Sequence, residues 1–223
     1  MKGKIAEIFD SVQGEGIYLG EKQLFVRFYG CKLVCKYCDT KLNYFREYTP
    51  DELFKELKSY KDSFHSLVFT GGEPLEQKDF LKEALKLARA RGYKTYLETN
   101  GVLYEELEEV IDLVDIVAMD LKLPSSTGQR ALWEEHRKFL EIAGKKEVFL
   151  KCVICLSTTE EDIRQAVSLI KGSNKSIILV LQPNSFESGK ELDEKCQNFK
   201  NILMQEQVTV CLIPQMHKIM GVK

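Results

Sequence analysis

Short apolar runs alternate with amphipathic stretches along nearly the whole chain. Runs at 4–9, 24–29, 65–69, 93–98, 114–119, 147–154, 175–181 and 208–213 predict strands. Two of them, Ser66-Leu-Val-Phe-Thr70 and Ile177-Ile-Leu-Val-Leu181, are almost unbroken, as in parallel strands covered on both faces. Between the runs, a helical period predicts helices near 50–60, 78–91, 104–112, 129–143, 158–171 and 190–203. Thr49-Pro-Asp-Glu52 and Thr158-Thr-Glu-Glu161 read as capping boxes, and Gly92 sits where a C-terminal cap is expected. Strand-helix-strand repetition implies parallel crossovers, and the chain is too short for eight complete units. The expectation is an α/β fold: an open, partial (β/α) barrel of mostly parallel strands, with its chemistry in the loops that leave the C-terminal strand ends.

Composition narrows the setting. With 223 residues, 44% of them hydrophobic, the chain can bury a core, and one domain spanning 1–223 is expected. A net charge of -2 and the lack of a basic run argue against nucleic acid as a direct partner. No apolar run approaches the ~20 residues of a membrane span, and Met1 to Phe9 is too short and charged for a secretory signal. A cytoplasmic location is expected. There, seven cysteines read as ligands or buried thiols, not as a disulfide framework.

Three of the seven, Cys31, Cys35 and Cys38, follow a predicted strand in the spacing C-x3-C-x2-C. Three thiolates on so short a loop can grip three irons of a [4Fe-4S] cube, whereas a closed electron-transfer cluster needs a fourth. The fourth iron then stays open to a small molecule, such as the amino and carboxylate groups of S-adenosylmethionine (SAM). A structural zinc site is the alternative, but it calls for four ligands in paired C-x2-C elements. The cysteine loop, with Tyr37 before its last cysteine, resembles the radical SAM superfamily. So does Thr70-Gly-Gly-Glu-Pro74 after the strand 65–69. There Gly71 and Gly72 allow backbone to approach a ligand, and Glu73 can accept hydrogen bonds from the SAM ammonium.

Further segments narrow the resemblance. Ser11-Val-Gln-Gly-Glu-Gly16, Arg27-Phe-Tyr-Gly-Cys-Lys-Leu33, Cys38-Asp-Thr40, Glu98-Thr-Asn-Gly101 and Pro214-Gln-Met-His-Lys218 resemble, in order, the 7-carboxy-7-deazaguanine synthase family. That resemblance covers residues from about 7 to 223. It implies a lyase-type radical SAM enzyme of 7-deazapurine (queuosine precursor) biosynthesis. Such an enzyme converts 6-carboxy-5,6,7,8-tetrahydropterin to 7-carboxy-7-deazaguanine with loss of ammonia, by hydrogen abstraction from C6, and regenerates SAM. It also implies a substrate loop at about 10–22 and a substrate-capping tail at about 214–223. For the substrate it points to Val12, Gln13, Gly14, Glu15, Arg27, Thr70 and His217. Arg27 suits a carboxylate because its guanidinium binds in two places at once.

For SAM the resemblance implies Tyr37, Cys38, Asp39, Gly72, Glu73, Asp120, Lys122 and Gln182, although Asp120-Leu-Lys122 stands where the family has a Ser-x-Lys-like element. It assigns Mg2+ to Thr40, whose hydroxyl suits a hard cation. The family further implies a homodimer and a reductant such as flavodoxin or ferredoxin, which Lys32 and Lys36 could attract. The remaining cysteines, Cys152, Cys155, Cys196 and Cys211, read as buried or helix-face thiols. Two rival functions stay open on sequence: an activase for a glycyl radical enzyme, and a non-catalytic iron-sulfur carrier. The first has no need of the 13–16 loop or the 215–217 tail, and the second would want a fourth cysteine.

Overall fold

The structure is a computed structural model of the chain and describes residues 1–40, 42–173, 175–216, 218 and 221. Among these residues nine strands form one open sheet: β1 (Gly3–Val12), β2 (Lys22–Phe28), β3 (Arg46–Tyr48), β4 (Leu67–Gly71), β5 (Thr95–Thr99), β6 (Ile116–Asp120), β7 (Glu147–Ile154), β8 (Ile178–Pro183) and β9 (Thr209–Leu212). Their order is β3-β1-β2-β4-β5-β6-β7-β8-β9. β1 runs antiparallel to both neighbours, and every later pairing is parallel. The helices are α1 (Pro50–Leu57), α2 (Lys78–Ala90), α3 (Tyr104–Glu108), α4 (Pro124–Thr127), α5 (Trp133–Ala143), α6 (Glu160–Gly172) and α7 (Lys190–Gln205). No helix among the described residues is long and apolar enough to cross a membrane.

Period-two alternation sends the strands' side chains to two different places. One set, including Leu24, Val26, Phe28, Leu67, Phe69, Leu97, Val117, Leu150 and Leu179, packs under the apolar faces of α1, α2, α5, α6 and α7 in the main core. The other set faces away from the helices. Its lower tier is a second apolar cluster of Phe25, Val68, Tyr96, Ile116, Ala118, Phe149 and Val180. Ile17 and Tyr18 of the loop after β1 pack onto this cluster, so the loop is anchored by hydrophobic burial. Gly16 makes that approach possible: it sits at φ 69°, and a Cβ there would lie 2.7 Å from the Phe149 ring.

All eight expected strands are present, with ends shifted by a few residues. β3 has no counterpart among the expectations. Arg-Glu-Tyr has no apolar alternation of its own and becomes a strand only by pairing with Gly3–Ile5. The Thr49 capping box forms as expected. The second box shifts by one residue: Thr159 is the N-cap, while Thr158 Oγ1 accepts from Cys155 N at 2.7 Å and lies 2.7 Å from the Ser126 hydroxyl. The helix expected from 129 starts at Trp133, because α4 ends on Gly128 in the left-handed conformation.

Candidate active site

Above the apolar tier, the same inward positions turn polar two residues further along each strand: Arg27 after Phe25, Thr70 after Val68, Glu98 after Tyr96, Asp120 after Ala118, Lys151 after Phe149 and Gln182 after Val180. The polar tier lies at the C-terminal strand ends and lines a cavity of about 670 Å³, a volume within the range of small-molecule sites. The tier climbs across the sheet, since Arg27 registers with Thr70, Asp120 with Lys151, and Gln182 with Val153.

Cys31, Cys35 and Cys38 all line this cavity from the loop after β2, with Cys31 and Cys38 exposed and Cys35 half-buried. Burial raises the half-buried Cys35 thiol above its ordinary range. Asn100 Nδ2 donates to Cys31 Sγ at 3.9 Å. Among the described residues, no three His, Cys, Asp or Glu side chains converge as a single-ion site would require. Three thiols from one loop, all lining the same cavity, are the donor chemistry that a [4Fe-4S] cluster with one open iron takes.

The backbone of the Gly71–Glu73 turn is pressed against this loop. Gly72 N donates to Phe28 O at 2.9 Å and Glu73 N to Gly30 O at 2.7 Å. A Cβ on Gly72 would fall 1.7 Å from Gly30 O, so only glycine fits the approach. The Glu73 side chain differs from expectation. It is fully buried and is not part of the cavity lining. Its carboxylate accepts from Leu75 N at 3.1 Å, Thr99 Oγ1 at 2.9 Å and Asn100 N at 2.8 Å. Burial pushes its carboxyl up to about 7, against those donors. Through these bonds it braces the loops after β4 and β5.

A belt of polar contacts surrounds the opening. Asp39 accepts from Gln215 Nε2 at 3.1 Å, and Gln215 also donates to Glu15 at 2.7 Å. Glu15 pairs with Lys151, Lys151 lies 3.3 Å from Asp120, and Asp120 pairs with Lys122 at 2.7 Å. Lys122 Nζ lies 5.6 Å from the Tyr37 ring, which returns the belt to the cysteine loop. The tail is further held by Lys218 on Asp39 at 2.6 Å and by Met216 N on Gly14 O at 3.0 Å. Burial alone would raise Glu15, but Lys151 and Gln215 outweigh it and hold the carboxyl low. Glu98 makes no ion pair among the described residues, although the Lys151 charge acts on it and opposes burial. Burial raises it, and it accepts from Thr70 Oγ1 at 2.5 Å and Gln13 Nε2 at 2.9 Å.

The expected site residues other than Glu73 and His217 all line this one cavity. His217 lies outside the described residues. Arg27 is paired through Nε with Glu7 at 2.8 Å and stacks on Phe9. Thr40 Oγ1 lies 3.2 Å from Asp39 Oδ1. Gln182, 2% exposed, leaves its Oε1 without a hydrogen-bond partner, a deficit that a donor on a bound molecule would satisfy. Three members of the site escaped the sequence: Glu98, Lys151 and Gln215. For Glu98 and Lys151 the available signal was a charge two residues beyond an inward apolar position of a strand; Gln215, an uncharged residue of the tail, offered none. The other cysteines stand apart from the site: Cys152, Cys155 and Cys196 are buried and Cys211 half-buried.

Comparison with known proteins agrees with this geometry. The family model of the Radical SAM superfamily matches residues 25–170. The chain is 36% identical to the 7-carboxy-7-deazaguanine synthase of Geobacter sulfurreducens, over 98% of this chain and 97% of that protein. It is 33% identical to the synthase of the same name from Archaeoglobus fulgidus, over the whole of both. Among solved structures, QueE from Escherichia coli superposes with a TM-score of 0.67 at 19% identity, covering 95% of this chain and 93% of that one. Streptococcus suis SuiB bound to S-adenosylmethionine gives a TM-score of 0.58 at 18% identity, covering 82% of this chain and 44% of that one. At these identities the two superpositions speak for the fold.

Proposed function

This chain belongs to the 7-carboxy-7-deazaguanine synthase family of the radical SAM superfamily, and on that premise we propose that it converts 6-carboxy-5,6,7,8-tetrahydropterin to 7-carboxy-7-deazaguanine with loss of ammonia, on the route to queuosine-type 7-deazapurines. The observation that carries the proposal is the meeting of the cysteine loop, Arg27 and the 13–16 loop around one cavity. When bound, a [4Fe-4S] cluster would supply the electron for reductive cleavage of SAM, the source of the radical that abstracts hydrogen.

In this reading Cys31, Cys35 and Cys38 hold the cluster. Tyr37, Asp39, Gly72, Asp120, Lys122 and Gln182 surround SAM, with Gln182 Oε1 taking a hydrogen bond from it. Arg27 turns its terminal nitrogens to the substrate carboxylate while Glu7 keeps Nε. Val12, Gln13, Gly14, Glu15 and Thr70 meet the pterin edge, and Glu98 adds a buried acceptor beside them. His217 joins from the tail. Thr40 offers Mg2+ a hydroxyl ligand, with water and substrate oxygens as the others. The same reading gives the enzyme a reductant such as flavodoxin or ferredoxin, a homodimeric state and a cytoplasmic location.

The test is anaerobic. The cluster is reconstituted, reductant, SAM, Mg2+ and carboxytetrahydropterin are added, and the ultraviolet spectrum and released ammonia are followed. Conversion of the pterin with one ammonia per product is the expected result. Cleavage of SAM with the pterin left intact would move the chain to the activase reading. Omitting Mg2+ and adding a chelator should slow turnover, and equal rates would remove the metal from the scheme.

A further inference from the structure

We propose that Lys151 is a positioning residue that ties the 13–16 loop to Asp120, so that filling one of the two ligand sites tightens binding at the other. The inference rests on the assignment of the two sites given under the proposed function. Lys151 is the one basic residue of β7 that points into the cavity, between Leu150 and Cys152 of the main core. A lysine in such a strand costs stability unless paired, and for folding alone an apolar side chain would serve as well.

Its ammonium is paired twice, and the partners come from different places. Glu15 belongs to the loop after β1, and Asp120 ends β6. Glu98 on β5 contributes a third negative field, Lys122 a positive one through Asp120, and Tyr96 and Tyr37 are the neutral titratable groups nearby. On β8 the residue in register is Val180, which brings no charge. Burial alone would lower the Lys151 ammonium, but Asp120, Glu15 and Glu98 hold it well above the lysine range, so it stays charged throughout the working pH.

Two carboxylates therefore share one cation across the cavity. Fixing either carboxylate restricts the long lysine side chain, and the ordering cost of the other carboxylate falls accordingly. A ligand held by the Glu15 loop and one held beside Asp120 would thus each favour the other, by the same factor in both directions.

The test uses cluster-loaded but unreduced protein, in which nothing turns over. SAM is titrated calorimetrically with and without carboxytetrahydropterin. In the wild type the pterin should tighten SAM binding by about fivefold or more. Lys151→Met should bring that factor to within about twofold of unity, and Lys151→Arg should keep most of it. Should Lys151→Met fail to fold, Glu15→Gln breaks the same link from the other end while Lys151 keeps Asp120, and it should lose the coupling too.

A second readout is pH. Without the Lys151 charge, the buried Glu15 carboxyl rises, so pterin affinity of Lys151→Met should weaken as pH falls while the wild type stays flat. Wild-type coupling in Lys151→Met or Glu15→Gln would overturn the proposal. So would independent binding of the two ligands by the wild type, which would leave the proposed function standing if the pterin is still converted. A wild type that binds no pterin would overturn both.

Discussion

Replacing Gly72 by alanine should separate the two loops that form the cluster cradle. The added Cβ would stand 1.7 Å from Gly30 O and 2.4 Å from Gly30 C, both backbone atoms that no side-chain rotation can move aside. Restoring even 3.0 Å requires the Gly71–Glu73 turn to retreat from the cysteine loop by over an ångström. That shift breaks the 2.7 Å bond from Glu73 N to Gly30 O and loosens the one from Gly72 N to Phe28 O. A buried backbone group left unpaired costs ~1–3 kcal/mol, and forced overpacking about as much again, so the total is ~2–6 kcal/mol. A loss of ~4 kcal/mol lowers Tm by about 8–16 °C in a domain of this size. Cys31 follows Gly30 directly, so the displacement reaches the first cysteine of the loop proposed to hold the cluster. Thermal unfolding of the apoprotein and iron content after reconstitution measure the two effects. Gly172→Ala, where nothing lies within 4 Å of the new Cβ, is the control. A Gly72→Ala protein that melts within about 2 °C of wild type and binds full iron would refute the argument.

Other substitutions test the remaining assignments. Cys35→Ala should lose the intact cluster and all SAM cleavage, read as iron and sulfide content and 5'-deoxyadenosine; a full cluster in that variant would end the cluster reading. Arg27→Lys should raise KM for the pterin about tenfold or more, since lysine cannot make the bidentate contact, while SAM cleavage without substrate continues. Loss of the cluster in Arg27→Lys would instead make Arg27 structural. Glu73 is a carboxyl raised by burial from 4.5 to about 7, so the folded state holds its proton more tightly than the unfolded chain. Its stabilising contribution is full below the lower value and is lost as pH rises through the upper one. The stability of wild type relative to Glu73→Gln, measured by urea denaturation, should therefore fall between about pH 4.5 and pH 7. A constant difference would mean that Glu73 is ionised in the fold across that range.

By itself the sequence determined what depends on neighbouring residues. Apolar runs set the eight longer strands, and the almost unbroken runs at 66–70 and 177–181 set burial on both faces for β4 and β8, because alternation and run length are local properties. The spacing of Cys31, Cys35 and Cys38 pointed to a cluster, and Gly71-Gly72 to a close backbone approach, because both patterns lie within single loops. The capping box at Thr49 was readable for the same reason, and the one at Thr158 misled because Ser126 and Cys155, distant or outside the helix, claim that hydroxyl.

Tertiary structure decided whatever requires strands to be set side by side. β3 exists only through its pairing with β1. The site's polar tier exists because each inward position changes from apolar to polar two residues later, and only the sheet register stacks those changes into one wall. Glu98, Lys151 and Gln215 become members of the site in that wall and its cover, and Glu73 leaves it for a braced, buried position. The physical reason is that a buried charge takes its meaning from the counter-charge opposite it, and Lys151 meets Glu15 across a sequence separation of 136 residues that no local pattern can span.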